Sequence, residues 1–164
     1  MIKDVPSRVE KILVDPELGT TVLILKEMTG PRRLPIWIGQ PEALAIAAAI
    51  KGVELPRPLT HDLLQSVIAE LGATVTWIRV HDESDGTFFA AIGIKGPQGT
   101  TEIDSRPSDA IALALRTGAP ILVADALLEE IAPLDHLEPV LTADIEDEDY
   151  LANLPDDFFG KYKM

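Results

Sequence analysis

Residues 20–28 read TTVLILKEM, a nearly continuous β-branched and apolar run. Such a run suits a strand covered on both faces. The chain must therefore lay packing on each side of a sheet, and the rest of the sequence is read for elements that can do so. Residues 8–15 alternate in polarity and are followed by a break at Pro16–Gly19, so they pair with the run as a hairpin. Residues 34–38 form a third strand holding Trp37.

The helices follow from caps and periodicity. Gly39-Gln40-Pro41 opens a helix through Lys51, with Pro41 in the first turn, where its missing N–H costs nothing, and Glu42 at the positive end of the dipole. Its alanine-rich body has no face made for water, so it is either buried or packed on a second copy of the chain. Thr60 caps a helix to Leu71 that carries Leu63, Leu64, Val67, Ile68 and Leu71 on one face. Strands follow at 73–80 and 87–95, joined by the hairpin signal Asp85-Gly86, and at 100–104. Ser108 caps a helix to Thr117, residues 120–124 are a last strand, and Asp125 starts a short helix to about residue 131. Trp37 and Trp77, lying within strands, are expected in the core. The expected fold is α+β, a mixed, largely antiparallel twisted sheet flanked by helices.

Charge divides the chain. Residues 125–164 hold 12 acidic and 2 basic side chains, whereas residues 1–124 hold 15 acidic and 12 basic. The expected division is a domain at 1–131 and an acidic tail at 132–164, with Phe158 and Phe159 in the tail as anchors for the body or a protein partner. A nearly neutral body leaves room for a local basic cleft but not for a broad positive face. No apolar run is long enough to span a membrane. The absence of cysteine removes disulfides, thiolate metal sites and cysteine nucleophiles. A cytoplasmic location is expected.

Polar chemistry gathers at two helix entrances. Each unit reads Arg-Pro, a hydroxyl residue, Asp, an apolar helix, Gly-Ala and a strand, once from Arg57 and once from Arg106. The first cluster is Arg57, Thr60, His61 and Asp62; the second is Asp104, Ser105, Arg106, Ser108 and Asp109. Helix N-termini and arginine forks suit phosphate, and histidine beside aspartate can move protons or hold a divalent ion. Caps, dipole-favoured carboxylates and simple ion pairs account for the same residues without any function, except that an imidazole adds nothing to a cap. P-loop, dinucleotide and nucleophile-elbow motifs are all missing. From the residues alone, the two entrances should converge on one cleft.

LPIWIGQPEALAIA at 34–47, RPLTHDLL at 57–64, DGTFFAAI at 85–92 and IDSRPSDAIALALRTGAPILVA at 103–124 resemble the bifunctional nuclease family over roughly residues 8–130. The resemblance implies a nuclease acting on RNA, DNA or both. It places the polar cleft at Glu42, Arg57, Thr60, His61, Asp62, Asp104, Arg106, Ser108 and Asp109. On that reading His61, Asp62, Asp104 and Asp109 are catalytic. Arg57, Arg106, Thr60 and Ser108 bind phosphate, and Asp104, Asp109 and Glu42 hold Mg²⁺ or Mn²⁺, with no organic cofactor. The alternative is a non-catalytic regulatory or assembly protein that binds an anionic ligand or a protein through the same cleft. A homo-oligomer is expected, with the helix from Pro41 to Lys51 at the contact or else buried within one subunit.

Overall fold

In a computed structural model, which describes residues 3–142, the two-sided run becomes β2 (Thr21–Glu27). It pairs antiparallel with β1 (Asp4–Val14) on one side and β3 (Arg33–Ile38) on the other. Val22, Leu23, Ile24 and Leu25 are all 0% exposed. Leu23 and Leu25 join the main core, while Val22 and Ile24 join a smaller cluster with Leu13 and Leu137, flanked by Ile131 and Leu134. The chain thus supplies both layers that the run demands.

The remaining strands are β4 (Thr74–Ser84), β5 (Thr87–Gly96), β6 (Gly99–Ser105), β7 (Ile121–Ala124) and β8 (Glu138–Thr142). They form one sheet in the order β3-β2-β1-β7-β4-β5-β6, with β8 also paired to β1. Every pairing is antiparallel except β4 with β7. The fold is therefore α+β with a mixed, mostly antiparallel sheet. Asp85 and Gly86 both take positive φ (52° and 78°) between β4 and β5, as a type I′ hairpin requires. A register shift between Val9 and Lys11 changes the phase of β1, so the core-facing positions pass from Val5 and Val9 to Ile12. Among the described residues no helix is long and apolar enough to cross a membrane.

The described residues also form three α-helices, α1 (Gln40–Lys51), α2 (Thr60–Glu70) and α3 (Pro107–Thr117). Buried alanines of α1 (Ala43, Ala45, Ala47) and of α3 (Ala110, Ala112, Ala114) share the main core, and small side chains let two backbones pack closely. Within the single subunit Ala43, Ala45, Ile46, Ala47 and Ala48 of α1 are already buried. Gly52 and Gly118 end α1 and α3 in the left-handed conformation.

Several expectations change. β1 starts four residues before Arg8 and runs through Pro6, which has no N–H to donate; its carbonyl still accepts from the Met28 N–H (2.9 Å). Residues 125–127 form only one 3₁₀ turn. The sheet does not end near residue 131, because β8 extends it and Leu137 is buried. The acidic run from residue 143, with Phe158 and Phe159, lies outside the described residues. Trp37 is 60% exposed on the edge strand β3. The largest departure is α2, where Leu63, Leu64, Val67 and Leu71 are exposed and only His61 is buried.

Candidate functional site

The three helices begin close together, and the extended segment at 55–59 joins them. Two prolines keep that segment out of helical geometry. Between these elements lies a cleft of about 400 Å³. Leu44, Leu55, Pro56, Pro58 and Leu59 form an apolar wall, and Glu42, Arg57, Thr60, His61, Arg106 and Asp109 supply the polar part of the lining. The two arginine–proline entrances therefore meet, as their shared pattern implies.

Neither hydroxyl acts as the expected cap. Leu59 and Arg106 occupy the cap positions of α2 and α3, without a side-chain cap bond. At α2 the Leu59 N–H instead donates to Asp62 Oδ2 (2.9 Å). Thr60 is displaced by one position into the first turn and stays at the cleft, whereas Ser108 is buried and away from the lining.

At the centre His61 Nε2 lies 2.9 Å from Asp109 Oδ1. Arg106 reaches the same carboxylate twice, Nε to Oδ2 at 2.7 Å and Nη2 to Oδ1 at 3.1 Å, and extends Nη1 to Glu42 Oε1 at 3.1 Å. Burial raises the Asp109 carboxyl, but bonds from Arg106 and His61 outweigh it and hold the group below the usual carboxylate range. An ionised carboxylate can only accept, so Nε2 carries the imidazole proton and Nδ1 is left as the basic nitrogen. Among the described residues Nδ1 has no hydrogen-bond partner, and it is open to the cleft. Glu42 folds back over the start of α1 into space that a Cβ at Gly39 would fill. A side chain at Gly39 would therefore displace the Glu42 carboxylate from this position.

The remaining expected residues are placed elsewhere. Asp62 turns from the cleft to Arg116, whose Nε donates to Asp62 Oδ1 at 2.6 Å. Asp104 pairs in register with Ala91, between the pairs Ile92–Ile103 and Ala90–Ser105. Ala90 and Ile92 face the helices, so Asp104 faces away from them. Arg57 makes no ion pair or hydrogen bond among the described residues.

The donor set does not fit a divalent ion. Glu42 and Asp109 are engaged by Arg106, and Asp104 lies on the other face of the sheet. No group of three His, Asp or Glu side chains suited to a metal exists among the described residues.

Sequence reasoning missed two parts of the site. One is Arg116, only 7% exposed, which also donates to the carbonyls of Ala45 and Ala112 (3.0 and 2.9 Å). It ties α2 to α1 and α3, although by position it reads as an ordinary last-turn cation. The other is the apolar wall, whose signal was the Leu-Pro-Arg-Pro-Leu segment at 55–59.

With this geometry in hand, comparison with known proteins gives a consistent result. A family model described as the bifunctional nuclease domain matches residues 23–134. An uncharacterised protein of Mycobacterium tuberculosis is 43% identical over 160 residues, 92% of this chain and 96% of its own length. Bifunctional nuclease 1 of Arabidopsis thaliana is 30% identical over 105 residues, 62% of this chain but 32% of the plant protein. Bifunctional nuclease 2 of Oryza sativa subsp. japonica is 30% identical over 97 residues, 57% of this chain and 30% of that protein.

Proposed function

The chain belongs to the bifunctional nuclease domain family, and from that premise we propose that it is a nuclease cleaving phosphodiester bonds of RNA or DNA in this cleft. The observation that carries the proposal is the His61–Asp109 bond within a lining that also holds Arg57 and Arg106. A carboxylate that fixes the proton on one ring nitrogen leaves the other to accept a proton, which is the arrangement of a general base. Arg57 is the cation left free for a phosphate oxygen, and Arg106 holds His61 in place through Asp109 while offering its exposed side to a second oxygen. The apolar wall suits the face of a nucleobase.

Replacing His61 tests this. His61→Ala and His61→Gln should each lower cleavage of labelled RNA or DNA by about 10²–10⁴-fold, with circular dichroism and melting showing a retained fold. Wild type and variants that leave both nucleic acids equally intact would end the enzyme reading.

A second reading, a non-catalytic protein binding a small amphipathic ligand or a partner, is favoured by the balance of charge in the cleft. Glu42 and Asp109 offset Arg106, and nucleic-acid affinity comes largely from phosphate neutralisation. Its mark would be binding at this cleft that survives in His61→Gln with no cleavage by the wild type.

A further inference from the structure

The sheet face turned away from the helices carries a row of cations. Arg8 of β1 lies directly opposite Lys26 of β2, and Lys26 lies directly opposite Arg33 of β3. Their strand neighbours Val9, Leu25 and Leu34 sit in the main core beneath the helices, so the row faces the other way. Lys11 joins it, since it pairs with Ile24 of the smaller cluster on that face. Like charges placed directly opposite one another destabilise a sheet. Glu10 answers part of this charge, through Arg33 at 2.8 and 2.9 Å and Lys26 at 4.0 Å. Bonds from Arg33 hold the Glu10 carboxyl below its usual range against burial, and the charges of Lys11 and Lys26 add to that effect. One strand carboxylate among four cations leaves positive charge over, in a chain whose formal net charge is -13.

We infer that the occupant of this row is the chain's own acidic segment at 144–149, which holds five carboxylates in six residues. β8 brings it there. Thr142, the last residue of β8, pairs with Lys11. β7 takes the same edge of β1 at Ser7, which pairs with Ile121, while β2 fills the other edge. Only residues 8–10 of β1 separate β7 from β8, so the chain beyond Thr142 must leave that edge within about three residues. One face is filled by the helices and the main core, and the other carries the row. Asp144 lies two residues past Thr142, about 7 Å of extended chain. Neighbouring strands are about 4.8 Å apart, which puts its carboxylate within reach of Lys11. The segment is thus a built-in polyanion that neutralises the row and keeps other polyanions off it. This surface lies across the sheet from the cleft and does not depend on whether the cleft is catalytic.

Carbodiimide joins lysine amines to carboxylates in contact without adding atoms, and it tests this on the full chain at low salt. In the monomer band Lys11 and Lys26 should link to carboxylates of 144–149 at least about tenfold more than Lys51 or Lys95 do, because a docked segment is concentrated at its own site. The links should disappear in about 1 M NaCl, where the screening length falls to about 3 Å. Equal linkage at all these lysines, links unchanged in high salt, or links found only between isotopically light and heavy copies in a mixed sample overturn the inference. Masking has its own readout. The full chain carrying Asp144→Asn, Glu146→Gln, Asp147→Asn, Glu148→Gln and Asp149→Asn should bind a labelled heparin oligosaccharide about tenfold or more tighter than wild type. Adding Lys11→Gln and Lys26→Gln should remove that gain. Equal heparin affinity in wild type and the five-site variant, or a gain that survives the two lysine changes, would show that the segment does not cover this row.

Discussion

α1 and α2 are nearly equal in length and both enter the cleft, where one contributes Glu42 and the other His61. They are held in opposite ways. α1 buries Ala43, Ala45, Ile46, Ala47 and Ala48 against the sheet and α3. α2 sends Ile68 toward the core and otherwise hangs on polar ties: His61 to Asp109, Asp62 to Arg116, and Gln65 Nε2 to the Arg116 carbonyl at 3.1 Å. One wall of the cleft is thus set by packing and the other by ion pairs and hydrogen bonds. The wall that carries the imidazole is the one that electrostatics can loosen.

The largest effect should come from the packed wall. Ala47 is buried in the main core, and Ala47→Asp would place a carboxylate there without a partner. A loss of about 4 kcal/mol is expected, read as a large fall in the urea midpoint. If the variant instead stays as stable as wild type and only its mass by light scattering falls, α1 lies at a contact between copies and the contrast with α2 collapses.

A smaller effect, confined to α2, should follow acidification. The Asp62 carboxyl is raised by burial but lowered further by Arg116 and the Leu59 N–H, so its net shift is downward, like that of Asp109. A group whose folded value is depressed contributes stability above its unfolded value, about 3.9 for Asp, and that stability is lost as pH falls through the lower folded value. Between pH 7 and 5 the contributions of the Asp62 and Asp109 carboxylates should therefore be constant. Below about pH 4 they should weaken by roughly 1 kcal/mol, a fivefold rise in local opening for half-exposed, solvent-screened pairs. Hydrogen exchange of α2 amides against α1 amides measures this. Asp62→Asn should flatten the α2 response and leave α1 unchanged; equal sensitivity of both helices would show that the two walls are not held differently.

The same contrast separates what the sequence made legible from what it did not. β2 was readable because four consecutive apolar residues admit no solvent-facing side. The convergence of Arg57, His61 and Arg106 was readable because one pattern occurs at two helix starts feeding one sheet. β8 was hidden by its proline and its acidic surroundings, since its pairing depends on β1 rather than on its own propensity. Asp104 was misplaced because strand alternation shows which residues share a face but not which face carries the helices. Amphipathicity likewise marks the apolar face of α2 but cannot say what covers it.

That face gives the smallest expected effect and the sharpest test of the comparison. Leu63 is 55% exposed and Leu71 71%, with Val67 between them also open to solvent. Truncating side chains that touch little removes little packing, so Leu63→Gln, Val67→Gln and Leu71→Gln should each change stability by no more than about 0.5 kcal/mol. Glutamine keeps the helix propensity close to that of leucine, so the comparison reports burial rather than backbone preference. A loss of about 2 kcal/mol or more at two adjacent positions would mean that the ridge is covered in solution. A concentration-dependent midpoint would then identify the cover as a second copy of the chain, because only association makes stability depend on protein concentration. A concentration-independent loss would place the cover within the same chain, and α2 would have to be counted with α1 as a packed wall.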